Sequence, residues 1–270
     1  MPVEPGEVSK PSALVTGAGG ELGAVIAARL AVDGYRVALM DSDRARVQTE
    51  AKKIPSAIAL AADIADEAAV KSAVDELIGT FGEPPDVLVN NAGIVRFGNF
   101  LEHSIADFRR VLDVNLVGAF IVSQAVARHM AARHKSDGRG RAIVNVTSLN
   151  AFAVSPDAGA YPAAKAALAK LTEQMALSLG SHGIRVNAVG PGVIDAGMSR
   201  PIYADPQARA ARSAAVPIGR LGTAEDVAEL VAFLASDKAG YINGQHILVD
   251  GGVFCSLKLH LPRKAPTVRG

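Results

Sequence analysis

The fold is decided by the segment Thr16-Gly17-Ala18-Gly19-Gly20-Glu21-Leu22-Gly23, which joins a short apolar run to a helical pattern. The run Ala13–Thr16 lacks polar alternation, as expected of a strand that is covered on both faces. The helical pattern that follows covers Leu22–Val32. A glycine turn at this junction lets the backbone approach a phosphate, and the helix N-terminus favours negative charge. A plain structural turn is the alternative interpretation of the glycines alone.

The same alternation of strand and helix continues along the chain. Further apolar runs predict strands at Arg36–Met40, ending at Asp41, and at Ala57–Ala61, Val87–Val89, Ala142–Val146, Arg185–Val189 and Ile247–Val249. Helical patterns separate them at Ala68–Phe81, Ile105–His134, Ala163–Leu179 and Ala224–Leu234. This order predicts an α/β fold, with a doubly wound parallel sheet of about seven strands between two helical layers. We expect a single domain over residues 1–270, with its core at about 11–252.

Three segments do not fit the alternation of strand and helix. Arg133–Arg141 reads as a basic, glycine-containing loop, and Met198–Val216 is long enough to form a lid. The C-terminal tail, residues 253–270, carries basic side chains and no acid after Lys258. It either crosses to a neighbouring subunit or forms a disordered end.

Composition narrows the classes of function. The net charge of +1 gives no general attraction to nucleic acid or to an anionic membrane. Cys255 is the only cysteine, which excludes an intrachain disulfide and favours a reducing, cytoplasmic location. The N-terminus lacks the pattern of a signal peptide, and no uncharged apolar stretch reaches the ~18 residues of a membrane span. We therefore expect a cytoplasmic protein with a small-molecule substrate, without nucleic acid or membrane as partner.

Asp41 ends the second predicted strand, about 20 residues beyond the glycines, where an acid can hold the ribose hydroxyls of NAD. Its charge would repel the 2′-phosphate of NADP, and Ala18, Gly19 and Ser42 offer no cation to bind that phosphate. Arg44 is close in sequence, and solvent is its expected environment. The alternative role for Asp41 is a helix N-cap, and the two roles can coexist.

Polar residues also follow the third and fourth predicted strands. The side chain of Asp63 can accept from an adenine amino group, or it can cap a helix or turn. Asn90-Asn91-Ala92-Gly93 lies at the sheet edge where ligands bind in open α/β folds. We expect Asn90 to brace neighbouring backbone, while Ala92 and Gly93 leave room for the cofactor.

Tyr161 and Lys165 lie four residues apart at the start of a helical pattern, and therefore on one face. An ammonium one turn away favours the phenolate and lowers the pKa of a tyrosine, whose reference value is ~10. Ser148, just after the fifth strand, can hydrogen-bond a carbonyl oxygen as charge grows on it. Asn115 lies inside a helical pattern, where its side-chain carbonyl can hold a water. Each residue alone also has an ordinary structural interpretation.

Together these residues resemble the short-chain dehydrogenase/reductase family, over roughly Pro11 to Gly252. The matching residues are Thr16–Gly23, Asp63, Asn90–Gly93, Asn115, Ser148, Tyr161, Lys165 and Pro191-Gly192. The resemblance implies a single Rossmann-like domain, a homotetramer or homodimer, and hydride transfer between NAD and a secondary alcohol or ketone.

The resemblance also implies roles for the catalytic residues. Tyr161 would be the general acid for reduction and the general base for oxidation. Lys165 would bind the nicotinamide ribose and lower the pKa of Tyr161. Ser148 would orient the substrate oxygen, and Asn115 would hold a water that links Lys165 to solvent. The cofactor would contact Gly17, Gly20, Glu21, Leu22, Gly23, Asp41, Ser42, Asp63, Ile64, Asn91, Ala92, Gly93, Tyr161, Lys165, Pro191, Gly192 and Ile194.

Two residues depart from the family pattern. Glu21 replaces a usual glycine, and we expect its side chain to point outward from the helix start. Ala196 stands near a usual threonine, so a hydrogen bond to the nicotinamide amide is missing or is made by backbone.

The substrate pocket is predicted to be mostly apolar. Its candidate residues are Val95, Phe97, Ser148, Asn150 and Met198, with Ile94 and Ala151 nearby. Arg96, Arg200 and Arg209 are candidates for facing an acidic group, with surface placement as the alternative. The histidines show no metal-ligand grouping, so no metal site is expected.

Two other functions remain as alternatives. One is an NADPH-dependent 3-oxoacyl carrier-protein reductase, against which Asp41 argues. The other is a non-catalytic NAD-binding sensor on the same fold, against which the set Asn115, Ser148, Tyr161 and Lys165 argues.

Overall fold

The seven strands within residues 10–256 lie parallel in one sheet. The computed structural model describes residues 10–256, apart from the side chain of Pro201. The strand order is β3-β2-β1-β4-β5-β6-β7. The strands are β1 (Ser12–Thr16), β2 (Arg36–Asp41), β3 (Ile58–Ala61), β4 (Val87–Asn90), β5 (Arg141–Val146), β6 (Ile184–Pro191) and β7 (His246–Val249).

Helices connect the strands and cover both faces of the sheet. They are α1 (Glu21–Val32), α2 (Arg44–Ala51), α3 (Glu67–Phe81), α4 (Ile105–Leu112), α5 (Ala119–Asp137), α6 (Tyr161–Leu179), α7 (Pro206–Ala215) and α8 (Ala224–Ala235). The predicted Rossmann-like α/β fold is confirmed, because the sheet is parallel, doubly wound and flanked by helices. Every strand predicted from an apolar run is present within two residues of its expected ends.

The core has two halves, one on each face of the sheet. On one face, Ile26 of α1 and Val231 of α8 pack against β-strand side chains such as Val15. On the other face, Leu77 of α3 and Val122 of α5 pack against the opposite sides of the same strands. Strands buried on both faces explain why the sequence shows unbroken apolar runs instead of alternation.

A π-helical turn at Asp113–Gly118 separates α4 from α5 within one continuous helical stretch. The stretch Ile105–Asp137 is long and apolar enough to cross a membrane, but half of its most apolar window is buried inside the protein. A buried core helix passes the same test of length and composition. Sequence patterns predicted one uninterrupted helix here, whereas the structure has a π-turn between two α-helices.

Three other segments differ from the sequence predictions. The expected loop Arg133–Arg141 is helical as far as Asp137, because α5 ends only at Gly138, which has a φ of 66°. The short polar helix α2 has no apolar pattern that would predict it. The predicted lid, Met198–Val216, contains most of a short helix at Gly197–Ala204, followed by α7, and the lid segment as the structure defines it is Gly197–Val216, which includes the whole helix. The predicted tail lies outside the described residues after Ser256.

Candidate active site

A cavity of about 980 Å³ lies at the carboxyl ends of the strands. From β1 to β3 each new strand is added on one side of β1, and from β4 onward strands are added on the other side. Ligands of open α/β folds bind beside such a switch in strand order. Apart from Ala151, every residue predicted to contact cofactor or substrate lines this cavity, whereas Asn115 is fully buried beside it. The volume lies near the upper end of the usual ~300–1,000 Å³ range of ligand pockets, which suits a dinucleotide together with a small substrate.

The glycine loop is tied to the end of β4. Gly17 has a φ of 65°, and a Cβ there would lie 2.6 Å from the Cα of Ala92. The hydroxyl of Thr16 accepts hydrogen bonds from the backbone N–H groups of Asn91 and Ala92, each at 3.1 Å. Asn91 donates back to the Thr16 carbonyl at 3.0 Å. The turn therefore requires glycine, and its shape is fixed before any ligand binds.

Asn91, and not Asn90, braces neighbouring backbone. Asn90 was expected in that role, but its amide donates to the side chains of Ser123 at 2.7 Å and Asn145 at 2.8 Å. The cause is strand alternation, because consecutive residues of β4 and the following segment point in different directions. Asn90 consequently cross-links buried polar groups behind the site.

The N-terminus of α1 fits an anion. Its cap residue, Gly20, has no side chain to bond the amide groups of the first turn, and these groups adjoin the cavity. Unpaired helical amides and the helix dipole favour a phosphate at such a position. The residues present therefore fit the pyrophosphate of a dinucleotide.

Glu21 spans from this helix start to the lid segment. Its carboxylate accepts the backbone N–H of Gly197 at 3.0 Å and pairs with the guanidinium of Arg200. The expectation that Glu21 points outward is wrong in one respect, since the side chain lines the cavity and bonds across its mouth. The pairing with Arg200 offsets the negative charge that would otherwise face a pyrophosphate.

Asp41 is held in place by two backbone donors. Its carboxylate accepts from Gly19 at 2.9 Å and from Asp43 at 3.0 Å. It does not cap α2, because Asp43 has that role and accepts from the N–H of Arg46 at 3.1 Å. Asp41 is also part of the cavity wall.

A cation also lines this end of the cavity. Arg44 is exposed and lies away from it, as expected, but Arg46 is part of the wall. A Cβ built on Gly19 would lie 3.0 Å from the Asp41 carboxyl carbon and 3.1 Å from the Arg46 Cβ. Asp41 and Arg46 thus stand against the same point of the glycine loop.

The carboxylate of Asp63 is already engaged. It accepts from the N–H of Ala65 at 3.0 Å and pairs with Arg110 at 2.8 Å. Burial raises the pKa of Asp63, but these two bonds outweigh it and hold the pKa below its ordinary value. Asp63 also lines the cavity, while Asp66 is the residue that caps α3. Asp63 therefore stabilises the turn after β3, one of its two expected roles, while its contact with an adenine stays a prediction.

Tyr161 begins α6, and its hydroxyl hydrogen-bonds to that of Ser148, which follows β5. Burial raises the pKa of Tyr161 above its ordinary value, and the bond to Ser148 opposes that shift. The sequence predicted a lowered pKa. That prediction is wrong, because burial raises the pKa by more than Ser148 lowers it, although the Nζ of Lys165 lies 5.6 Å from the ring centroid.

Lys165 is buried below Tyr161, one turn along α6. Its ammonium donates to the carbonyl of Val146, the last residue of β5, at 2.8 Å. Burial lowers the pKa of Lys165 to about 8. The helix spacing predicted from the sequence therefore does bring Lys165, Tyr161 and Ser148 together at one edge of the sheet.

Asn115 lies in the π-turn and clamps the segment after β4. Its side-chain oxygen accepts from the N–H of Ile94 at 2.7 Å, and its amide donates to the Ile94 carbonyl at 2.8 Å. A Cβ on Gly93 would lie 3.0 Å from the Asn115 oxygen and 3.3 Å from the Lys165 nitrogen. The side-chain oxygen predicted to hold a water accepts one backbone hydrogen bond and keeps a second lone pair, so that role stays a prediction, while Asn115 positions the wall beside Lys165.

The end of β6 forms the wall next to Ser148. Gly192 donates to the carbonyl of Val249 at 2.9 Å, and a Cβ on it would lie 2.6 Å from the Cβ of Asp250. Ile194 and Ala196 are buried and line the cavity. Ala196 has no hydroxyl, so any hydrogen bond to a ligand amide at this point must come from backbone or another residue.

Sequence reasoning missed two features of the site. His246 lies beside the residue before Ser148, with its Nε2 atom 2.6 Å from the hydroxyl of Thr147. Arg212 and Tyr203 of the lid segment line the cavity, as does Arg46. A histidine at the start of a strand and arginines in a polar helix carry no signal of their own, since only the fold brings them to the site.

Comparison with known proteins identifies the family. A family model described as enoyl-(acyl carrier protein) reductase matches residues 17–254. The (3R)-3-hydroxyacyl-CoA dehydrogenase of Mus musculus is 38% identical over 253 residues, covering 90% of this chain and 95% of that protein. The L-rhamnose 1-dehydrogenase (NAD(P)(+)) of Azotobacter vinelandii is 38% identical over 253 residues, covering 91% of this chain and 97% of that protein.

A solved structure is similar over nearly the whole chain. The 3-ketoacyl-(acyl-carrier-protein) reductase from Brucella melitensis, complexed with NADH, aligns with a TM-score of 0.83 at 33% identity. The alignment covers 90% of this chain and 98% of that chain. The relatives are oxidoreductases, so this protein transfers a hydride between a nicotinamide cofactor and an alcohol or ketone carbon. The chain belongs to the short-chain dehydrogenase/reductase family.

Proposed function

We propose that this protein is an NAD-dependent dehydrogenase or reductase of a secondary alcohol or ketone, with Tyr161 as its general acid and base. One observation carries the proposal. The Tyr161 hydroxyl bonds to Ser148, above the buried ammonium of Lys165, in a cavity whose other end holds the glycine loop and Asp41. A single Rossmann-fold domain thus supplies both the cofactor site and the proton-transfer site.

The residues divide the reaction between them. A bound nicotinamide supplies the hydride acceptor or donor. During oxidation Tyr161 takes the hydroxyl proton as the substrate carbon loses its hydride, and during reduction Tyr161 returns a proton to the carbonyl oxygen. Ser148 orients that oxygen and donates to it as negative charge develops. Lys165 holds the nicotinamide ribose, and Asn115 fixes the wall through Ile94.

Proton transfer near neutral pH requires positive charge beside Tyr161. Burial raises the pKa of its hydroxyl, so the phenolate needs stabilisation that Ser148 alone does not supply. The ammonium of Lys165 and the cationic ring of oxidised nicotinamide both favour the phenolate. Tyr161 would therefore act as a base with the charged Lys165 beside it, and a bound oxidised nicotinamide would add to that positive charge.

NAD is the proposed cofactor because Asp41 presents a carboxylate to the cavity beside the glycine loop. Two like charges at ~4 Å repel by about 1 kcal/mol in water and about 4 kcal/mol near a protein surface. A 2′-phosphate at this wall would meet that repulsion. Arg46 stands against the same glycine, so the preference rests on the Asp41 carboxylate, which the N–H of Gly19 holds at the glycine loop.

We also propose a cytoplasmic homotetramer. Helices α4 and α5 and the π-turn between them expose large apolar side chains, among them Ile105, Phe108, Val117 and Phe120, which are 39–66% exposed in the single chain. Exposed apolar patches of this kind usually mark contacts with another protein chain. Cys255 is free and exposed, which suits a reducing compartment. Light scattering that gave the mass of one chain would contradict the assembly.

The decisive experiment replaces Tyr161 by Phe. We expect Tyr161→Phe to lose at least ~100-fold in kcat, the usual range for removal of an acid–base group, while NADH binding measured by fluorescence stays within twofold. Tyr241→Phe, at a fully exposed tyrosine, is the matched control. Substrates for the assay come from a panel of secondary alcohols, sugars, hydroxy acids, steroids and acyl thioesters. Full turnover by Tyr161→Phe would remove Tyr161 from the mechanism.

A second candidate is a 3-oxoacyl carrier-protein reductase. It is favoured by the likeness to a Brucella melitensis protein of similar description, whose structure contains NADH. The acyl-thioester arm of the panel separates the two candidates. Turnover of a thioester at least ~10-fold better than that of other ketones would favour the second. A sensor without catalysis would bind NADH and turn over no substrate in the panel.

A further inference from the structure

Three arginines near the lid segment are neutralised by carboxylates. Arg200 pairs with Glu21, and Arg209 pairs with Asp195 at 2.6 Å. Arg96, in the segment after β4, lies 3.7 Å from Asp107. The sequence made these three the candidates for facing an acidic group. Each already has a carboxylate, so none offers a free positive charge to a ligand.

A fourth arginine, Arg212, has no carboxylate partner among residues 10–256. Arg212 lies on α7 and lines the cavity. Within residues 10–256 its contacts are with Tyr203, where the guanidinium carbon lies 6.0 Å from the ring centroid and a side-chain hydrogen bond joins the two groups. A guanidinium has five N–H donors, and these contacts use a small part of them.

Tyr203 fixes the position of Arg212. The tyrosine is only 6% exposed, and it also lines the cavity. A buried ring beneath a guanidinium restricts its movement, so less conformational entropy is lost when a ligand binds. The charge of Arg212 is therefore both uncompensated and held against the cavity wall.

The remaining cations of the cavity have other positions or partners. Arg110 pairs with Asp63 at 2.8 Å, and Lys165 donates to the Val146 carbonyl below Tyr161. Arg46 stands at the opposite end, beside Asp41 and the glycine loop. The lid segment that carries Arg212 follows β6, the neighbour of the strand that leads to Ser148. Arg212 is thus the uncompensated cation on the catalytic side of the described cavity.

We propose that Arg212, held by Tyr203, binds an anionic group on the substrate, so that the enzyme acts on a secondary alcohol or ketone that carries a carboxylate or phosphate. This inference rests on the proposed function, since it names the substrate class of the same site. Asp157 also lines the cavity and is exposed, but it lies on the segment before α6 and not on the lid segment. Its charge is opposite, so it serves as a contrast to Arg212.

Binding is tested separately from catalysis. An enzyme–NADH complex cannot oxidise an alcohol, so 3-hydroxybutyrate and its neutral amide, 3-hydroxybutyramide, are titrated into that complex by calorimetry. We expect the acid to bind at least ~10-fold more tightly than the amide in the unaltered protein, a difference of about 1.4 kcal/mol. Arg212→Gln should abolish the difference by weakening the acid alone, and Arg212→Lys should retain part of it.

A second arm distinguishes phosphate from carboxylate. Reduction of dihydroxyacetone phosphate is compared with that of dihydroxyacetone, through kcat and KM, in the same variants. The unaltered protein would then prefer the phosphate ester, and Arg212→Gln would lose this preference through a higher KM for the ester. This result identifies phosphate as the group that Arg212 binds. The controls are Arg128→Gln, at an exposed arginine on α5, and Asp157→Asn, and neither should weaken the anionic ligands.

The outcomes separate the two proposals. If Arg212→Gln leaves the preference for the anionic member intact, or if neither arm shows a preference in the unaltered protein, the Arg212 subsite is wrong. Tyr161-dependent turnover of neutral alcohols would then still support the proposed function. If Tyr161→Phe keeps full activity while anion binding depends on Arg212, the proposed mechanism fails and the subsite stands.

Discussion

The carboxylate of Glu21 pairs with the guanidinium of Arg200, although 178 residues separate them in the sequence. Glu21 lies in the first turn of α1, and Arg200 lies in the lid segment, whose Gly197 donates to the same carboxylate at 3.0 Å. One side chain therefore connects the proposed pyrophosphate site with the cover of the substrate pocket.

Loss of this connection should loosen the lid segment. Both partners are partly exposed, and such pairs contribute up to about 1 kcal/mol. We therefore expect trypsin to cleave the lid segment of Glu21→Ala several-fold faster than that of the unaltered protein. Glu21→Gln should be intermediate, because its amide oxygen can still accept from Gly197. The control is Glu225→Ala, at an exposed acid at the start of α8. Equal cleavage rates for all variants would show that Glu21 does not restrain the lid segment.

Replacement of Asp41 should change the choice of cofactor. Asp41→Asn removes the negative charge and keeps an oxygen for the N–H of Gly19, while Arg46 remains in the wall. We expect the ratio of kcat/KM for NADPH to that for NADH to rise at least ~10-fold, as repulsion of about 1–4 kcal/mol is relieved. Asp43→Asn is the control, since Asp43 caps α2 and is not part of the cavity wall. An unchanged ratio would contradict the role of Asp41.

Lys165 should make stability depend on pH in the alkaline range. Burial lowers its pKa from 10.5 to about 8, so between these values the unfolded chain binds a proton that the folded chain does not. The free energy of unfolding should therefore rise with pH in this window, by at most about 1.4 kcal/mol per pH unit, and the gain is lost as pH falls through 8.

Lys165→Met should lack this rise and should lose at least ~100-fold in kcat/KM. Urea unfolding at several pH values between neutral and alkaline measures the first effect. Lys170→Met is the matched control on the same helix, where the lysine is exposed and pairs with Glu173. The same alkaline rise in Lys165→Met as in the unaltered protein would assign the effect to another group.

His246 should make the protein sensitive to acid. Its ring packs 4.6 Å from that of Phe152, and the Thr147 hydroxyl donates to Val189, so the histidine must donate to Thr147 from Nε2. Its Nδ1 atom is buried and has no hydrogen-bond partner among residues 10–256, and burial lowers the pKa of His246 from 6.5. Just below pH 6.5 the unfolded chain therefore binds more protons than the folded chain. The contribution of His246 to the free energy of unfolding is complete above pH 6.5 and is lost as the pH falls through the folded pKa.

His246→Gln should reduce that loss. Its amide can replace the donor to Thr147, but it does not titrate, so urea midpoints should fall less between neutral and acidic pH than those of the unaltered protein. The control is His129→Gln, at an exposed histidine on α5. Identical acid sensitivity of His246→Gln and the unaltered protein would exclude His246 as a source.

The sequence predicts the sheet well, because strands covered on both faces must be apolar throughout and are bounded by polar or glycine residues. It also brings Ser148, Tyr161 and Lys165 together, since their positions follow from one strand end and one helical turn. It does not predict α2, which is short and polar, or the π-turn around Asn115. The partners of Glu21 and Arg212 were missed because they depend on contacts between segments that only the finished fold brings together.

The π-turn at Asp113–Gly118 has a consequence for how mutation can act on this chain. A π-turn holds one residue more than the α-helical turns around it, so deletion of one residue would leave a regular helix with its backbone bonds complete. Such a deletion rotates every preceding side chain by about 100° relative to those that follow. The clamp between Asn115 and Ile94 would be lost while the hydrophobic core kept most of its contacts. The one surplus residue of this turn therefore sets the direction in which Asn115 faces the segment after β4.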